Sequence, residues 1–167
     1  MTGELDGARR EQVVVAGIGN EYRRDDGVGV AVAARVARLA PWVRDIGPVV
    51  DPLDLLGRWD EARLAVVIDA LQSQDRAGTV RVIELASSSV PVVAAGDGHV
   101  TSSHGVDVTG ALRIARAVER APGRVVLVGV VGADFSHGRG LSADVEVALP
   151  GAAQAVLELI GEERVCA

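Results

Sequence analysis

An α/β fold built on a mostly parallel sheet is predicted by three features of the sequence. Short apolar runs rich in Val, Leu and Ile, at residues 13–18, 64–68 and 125–131, read as strands buried on both faces. Segments of helical periodicity alternate with them, which is the pattern of βαβ units. Composition agrees: hydrophobic residues make up 49% of the chain but aromatics only 2%, so the core is aliphatic, as suits parallel strands covered by helices. One domain accounts for 167 residues, and a chain of that length buries ~70% of its unfolded surface without needing a disulfide or structural metal.

The elements follow in order. Residues 1–11 are polar and are expected to form a flexible tail before a single domain at 12–162, with a second tail at 163–167. Val13–Ile18 is the first strand, and Gly17 and Gly19 mark the turn that ends it. A helix over Gly27–Leu39 carries Arg35 and Arg38 near its C-terminus, where positive charge complements the dipole, and Pro41 helps to stop it. Ile46–Val50 reads as the second strand and Asp54–Ala62 as a short helix containing Trp59. Leu64–Ile68 is a third strand ending on Asp69. Thr79–Leu85 alternates in polarity and so reads as an edge strand. Residues 86–103 form a long loop, a length that is usually functional or disordered in compact domains. Val106–Ala121 is the next helix, with Leu112, Ile114, Ala115 and Val118 at helical spacing, and Val125–Val131 is the most apolar strand. A helical segment from Ser142, interrupted or restarted by Pro150, runs to about Ile160.

Charge and residue usage remove several classes of function. Acidic residues outnumber basic ones by 23 to 17, and the net charge of -6 repels nucleic acid and anionic lipid. The chain has no lysine, so Schiff-base chemistry, a Ser-Lys dyad and a P-loop lysine are excluded. Cys166 is the single cysteine, which rules out an intramolecular disulfide or a thiolate metal cluster. The opening residues lack the apolar stretch of a signal peptide and no run is long enough to span a bilayer, so a cytoplasmic location is expected.

In open α/β sheets, ligands bind outside the carboxyl ends of the strands. Three polar segments fall there: Gly17-Ile18-Gly19-Asn20 running on to Asp25-Asp26-Gly27, then Asp69, then Thr101-Ser102-Ser103-His104-Gly105. A dinucleotide site is disfavoured, because Tyr22 stands where the third glycine of G-x-G-x-x-G would fall and two carboxylates would repel a pyrophosphate. A Ser-His-Asp hydrolase lacks its G-x-S-x-G elbow. Metal coordination is the second possibility: Asp26 and Asp69 with His104 make an O,O,N set for a divalent transition ion, with positions left open for substrate or water. Each residue also has a plainer role open to it. Asp25 or Asp26 can cap a helix, Asp69 can serve a turn, and Ser102 or Ser103 can cap the next helix with His104 exposed in its first turn. His99 and His137 sit in glycine-containing loops and read as surface residues.

These segments, in this order, resemble the hydrogenase maturation endopeptidases. The resemblance runs from about Val13 to Ile160 and rests on Gly17-x-Gly19-Asn20, Asp25-Asp26-Gly27-Val28-Gly29, Val67-Ile68-Asp69-Ala70 and Ser103-His104-Gly105. Leu127-Val128-Gly129-Val130, Gly140-Leu141-Ser142 and Val145 also match. It implies a three-layer α/β/α fold of the phosphorylase/hydrolase-like kind, with a five-stranded, mostly parallel twisted sheet and one antiparallel strand, for which the edge strand Thr79–Leu85 is the candidate. It further implies an endopeptidase that trims the C-terminus of the large-subunit precursor of a nickel–iron hydrogenase. Asp26, Asp69 and His104 are then both the catalytic group and the nickel-recognising ligands, and the nickel is carried by the substrate, with other divalent ions able to substitute. Neither nucleic acid nor membrane enters this scheme, and a monomer is expected. The alternative is a non-catalytic metal- or nucleotide-binding accessory module of the same fold. The chain departs from the family after strand two, where Asp51-Pro52-Leu53-Asp54 replaces an acidic residue followed by Gly-Gly-Thr. The first ligand is also Asp26 where some members carry Glu.

Overall fold

The computed structural model describes residues 13–60, 62–85, 101–102 and 108–165. Within these, the strands are β1 (Val13–Ile18), β2 (Arg44–Val49), β3 (Leu64–Gln72), β4 (Val80–Glu84), β5 (Thr101–Ser102) and β6 (Arg124–Val131). The body of the sheet is five strands in the order β2-β1-β3-β6-β4. Strands β2, β1, β3 and β6 run parallel, while β4 lies antiparallel along β6 at the edge, with Val82 opposite Val128. The edge strand read from alternation is therefore the antiparallel one. The two-residue β5 adds to this body by pairing antiparallel with the end of β3, Leu71 opposite Ser102.

Helices α1 (Val28–Leu39) and α3 (Ala143–Val165) cover one face, and α2 (Val108–Ala117) covers the other. Strand pleating decides which residue goes where, because successive side chains point to opposite faces. Val13, Val15, Leu64, Val66 and Ile68 pack with Val28, Val32 and Val36 of α1 and Val156 and Ile160 of α3. Val14, Ala16, Ile18, Ala65 and Val67 pack with Ala111, Leu112 and Ala115 of α2 and with Trp59. Trp59 is a packing residue, fully buried, and Trp42 packs against the other cluster.

Several boundaries differ from the sequence reading: β2 is Arg44–Val49, β4 is Val80–Glu84 and α2 ends at Ala117, and four differences bear on the architecture. Strand β3 does not end on Asp69 but runs to Gln72, so that Asp69 lies within it, paired with Gly129 of β6. The chain enters α1 through a 3-10 turn at Arg24–Gly27. Asp54–Ala62 is no helix: a 3-10 turn at Pro52–Leu55 is followed by tight turns. Pro150 sits inside α3 without ending it. Val145 before the proline and Ala152, Ala153 and Val156 after it are all buried against the sheet. Tertiary packing on both sides thus outweighs the local cost of about 3 kcal/mol that a helix-interior proline carries.

Candidate functional site

The glycines of the first motif bring α1 onto the sheet. A Cβ on Gly29 would overlap the carbonyl oxygens of both Ile18 and Ile68, so the first turn of α1 rests on the end of β1 and the middle of β3. A Cβ on Gly17 would in turn overlap the Gly29 carbonyl. Gly19 has φ +139, a conformation that only glycine takes up readily, and a Cβ there would run into the Asp26 carbonyl. The loop between β1 and α1 therefore folds back on itself and delivers Asp26 to the end of the sheet.

That end is also where the strand order turns. The chain leaves β1 towards β2 on one side, whereas β3 lies on the other side next to β6. Such a switch point opens a crevice between the two diverging connections. Asp26 follows β1 and Asp69 stands on β3, so both flank it. Asp26 is fully buried and its Oδ2 accepts a hydrogen bond from the Asn20 N–H at 3.1 Å. Asp69 is 1% exposed, and its Oδ1 accepts from the Ala70 N–H at 2.8 Å. It shares strand parity with Ala65 and Val67, which places it on the face covered by α2.

His104 lies outside the described residues, as do His99, Ser103 and Cys166. In sequence His104 stands four residues before Val108, the first residue of α2. Among the described residues no group of three His, Cys, Asp or Glu side chains forms a complete metal site. Of the expected set, the described residues therefore include the two carboxylates, both buried. His137 is exposed, in keeping with the surface role read for it.

Asp25 is the residue that sequence reasoning passed over. It is fully buried, and four donors converge on it. Oδ2 accepts from the N–H groups of Ala133 and Asp134 at 2.8 and 2.9 Å and from the Ser142 hydroxyl at 2.8 Å. Oδ1 accepts from the Ser142 N–H at 2.6 Å. Burial pushes the Asp25 carboxyl up, but the Ser142, Asp134 and Ala133 N–H groups and the Ser142 hydroxyl together outweigh it and hold the group below the usual carboxylate range. Backbone bonds continue the same clasp: Asp25 N–H to the Asp134 carbonyl at 3.0 Å, Arg24 N–H to Gly138 at 2.9 Å and Gly138 N–H to Tyr22 at 2.9 Å. The loop after β6 is thereby fastened to the loop after β1. One signal for this was present in the sequence, since a single helix start needs only one capping aspartate and the chain supplies two.

The departure after β2 also has a structural form. Asp51 caps the 3-10 turn, its Oδ1 accepting from the Leu53 N–H at 2.9 Å, while Pro52 and Leu55 are buried. A proline-started turn occupies the place where the family pattern has small, flexible residues.

Comparison with known proteins bears on the family and the fold. A family model described as HycI, hydrogenase maturation protease, matches residues 49–159, a span that includes Asp69 and His104. A search of curated proteins gives no match. Among solved structures, the hydrogenase maturating endopeptidase HybD from E. coli superposes with a TM-score of 0.75 at 23% identity, over 91% of this chain and 93% of that one. The [NiFe] hydrogenase maturation protease HybD from Thermococcus kodakarensis gives 0.73 at 21% identity, over 89% of this chain and 99% of that one. HycI from Thermococcus kodakarensis KOD1 gives 0.68 at 21% identity, over 95% and 99%. At these identities the structural likeness establishes the shared α/β fold. Nothing in these matches supports a non-catalytic binding module. Because the family model covers well over half of its length, the chain belongs to the hydrogenase maturation proteases, a family of hydrolases.

Proposed function

We propose that this chain is the endopeptidase that removes a C-terminal peptide from the nickel-loaded large-subunit precursor of a nickel–iron hydrogenase. The observation that carries this reading is the pair of buried carboxylates, Asp26 and Asp69, at the switch point of a hydrogenase maturation protease fold. Asp26 and Asp69 supply oxygen donors and His104, from the segment before α2, an imidazole. This is a hard-to-borderline donor set suited to a divalent transition ion and weak enough to hold an ion that belongs to the substrate's own thiolate-rich pocket. Nickel here is part of the substrate, and another divalent ion can take its place. Its role at the scissile bond is to polarise the carbonyl or to lower the pKa of a bound water. The chain's own contribution is to orient the precursor's tail against Asp26 and Asp69, either of which can accept a proton as general base.

No helix among the described residues is long and apolar enough to cross a membrane. The acidic balance of the chain disfavours nucleic acid and anionic membrane as partners, and the proposed enzyme is a cytoplasmic monomer acting on a protein. The deciding experiment is intact mass of the large-subunit precursor, with and without nickel, after incubation with this protein. Loss of a C-terminal peptide from the nickel-loaded sample alone is the expected result, and His104→Ala is expected to abolish it while leaving the far-UV circular dichroism unchanged. Normal turnover by His104→Ala would remove His104 from the site, and an unshortened nickel-loaded precursor would overturn the endopeptidase reading.

A further inference from the structure

Beside the turn that carries Asp26 runs a groove of about 220 Å³ with no part in the metal-recognition scheme. Gly27, at the end of the 3-10 turn, and Ala31 of α1 are small residues in its lining, and Leu141 adds an apolar one. Arg24, Arg139 and Glu21 also line it; Asp134 pairs with Arg24, which leaves Arg139 as the guanidinium with no carboxylate partner among the described residues, on a chain whose net charge is -6. We propose that this groove is a specificity subsite that takes a carboxylate-bearing stretch of the substrate's C-terminal extension, held by Arg139 and Arg24.

Size, rigidity and charge support the assignment. Sites that engulf a whole small molecule usually measure ~300–1,000 Å³, so this groove suits one or two residues of an extended peptide rather than a metabolite. Its two arginines are held in place before any ligand arrives. The Arg139 guanidinium stacks over the Tyr22 ring at 4.5 Å and donates to the Tyr22 hydroxyl at 2.7 Å. The Arg24 backbone has φ 47, unusual for a residue with a side chain, and its Nε lies 3.3 Å from Asp134 Oδ2. Backbone strain of this kind persists only where surrounding contacts enforce it, and here the Asp25 clasp does so. Each guanidinium carries five N–H donors in a fixed fork, so one partner leaves others to receive a carboxylate. Finally, Arg24 and Gly27, which line the groove, lie on either side of Asp26 in the same 3-10 turn.

This inference rests on the endopeptidase reading for the identity of the peptide, but its test separates the two. The probe is a synthetic peptide of the precursor's C-terminal extension, its binding followed by fluorescence anisotropy at low salt. The same peptide with its Asp and Glu replaced by Asn and Gln, and the same peptide as C-terminal amide, distinguish an internal acid from the terminal carboxylate. Arg139→Ala is expected to weaken binding about tenfold, the loss of one charge-assisted hydrogen bond, with Arg139→Glu weaker still and Arg139→Lys partly restored. Whichever neutralised peptide binds the wild type less well is expected to bind Arg139→Ala no worse than the native peptide does. On the precursor itself Arg139→Ala raises KM about tenfold with a far smaller change in kcat. Equal affinity of wild type and Arg139→Glu, or wild-type binding indifferent to both neutralisations, overturns the subsite. Processing with unchanged KM in Arg139→Glu does the same while leaving the protease assignment standing. Arg139-dependent peptide binding by a protein that processes no precursor keeps the subsite and defeats the protease reading.

Discussion

Asp25 and Asp26 are adjacent and both fully buried, yet their surroundings give them different work. Four donors on two segments of the loop after β6 face Asp25, so its carboxylate holds architecture together. An amide in its place would turn an N–H₂ towards groups that are themselves donors, leaving buried polar atoms unpaired. Asp25→Asn is therefore expected to lower stability by about 2–4 kcal/mol, or roughly 4–16 °C in Tm for a chain of this size, read by thermal circular dichroism. Asp26→Asn is expected to abolish precursor processing while moving Tm much less, since it removes a charge from a buried carboxylate pair rather than a clasp. The sequence showed that both aspartates sit at a helix start but could not divide the roles. The division depends on Ser142, Ala133 and Asp134, more than a hundred residues away, and no local pattern reports where that loop returns.

At the scale of elements, the strands were legible because they are apolar on both faces, and the antiparallel edge strand because it alternates. What local pattern missed was decided by neighbours. The continuation of β3 past Asp69 comes from pairing with β6 as far as Leu71 opposite Val131, and the passage of α3 through Pro150 comes from packing on the sheet. Two glycines in helices make the contrast testable. Gly29→Ala forces a methyl group into the Ile18 and Ile68 carbonyls and is expected to cost at least about 1–3 kcal/mol in urea unfolding. Gly151 in α3 has nothing within 4 Å of its would-be Cβ, so Gly151→Ala is expected to stabilise by about 0.5–1 kcal/mol in the same assay. The turn into β4 is pinned by Asp75, whose Oδ2 accepts from Arg81 Nε at 2.9 Å and from the Ser73 hydroxyl at 3.0 Å. The hydrogen bonds from Arg81 and then Ser73 hold the Asp75 carboxyl below its ordinary range. A carboxylate whose pKa is lower when folded contributes stability above its unfolded pKa of about 4 and loses it as pH falls through the folded value. The stability gap between wild type and Asp75→Asn is thus expected at neutral pH and to close below about pH 4 in thermal melts compared across pH.

On the scale of the whole molecule, one sheet serves two separate apolar clusters, α1 and α3 on one face and α2 with Trp59 on the other. That sharing places the site as well. The switch point between β1 and β3 exists only because β2 and β6 lie on opposite sides of this pair, and strand order is a long-range property that composition and periodicity leave open. The residue pattern supplied five strands but not their order, while the rule that ligands gather at carboxyl ends of strands drew attention to Asp26 and Asp69. A shared sheet also makes a thermodynamic demand. If the two clusters were independent units, truncating one would melt its own layer and leave the other intact. Leu64 belongs to the first cluster and Leu112 to the second, both essentially inaccessible to solvent. Leu64→Ala and Leu112→Ala are each expected to cost about 2–5 kcal/mol, or roughly 4–20 °C in Tm. Because every strand of β1, β3 and β6 contributes side chains to both faces, each substitution should displace one and the same transition. A single calorimetric peak that shifts in both variants, with van't Hoff and calorimetric enthalpies equal, is the expected outcome. A second peak appearing in either variant would mean that the layers unfold separately, and the crevice between β1 and β3 would then have to be held open by a sheet stabilised from one side alone.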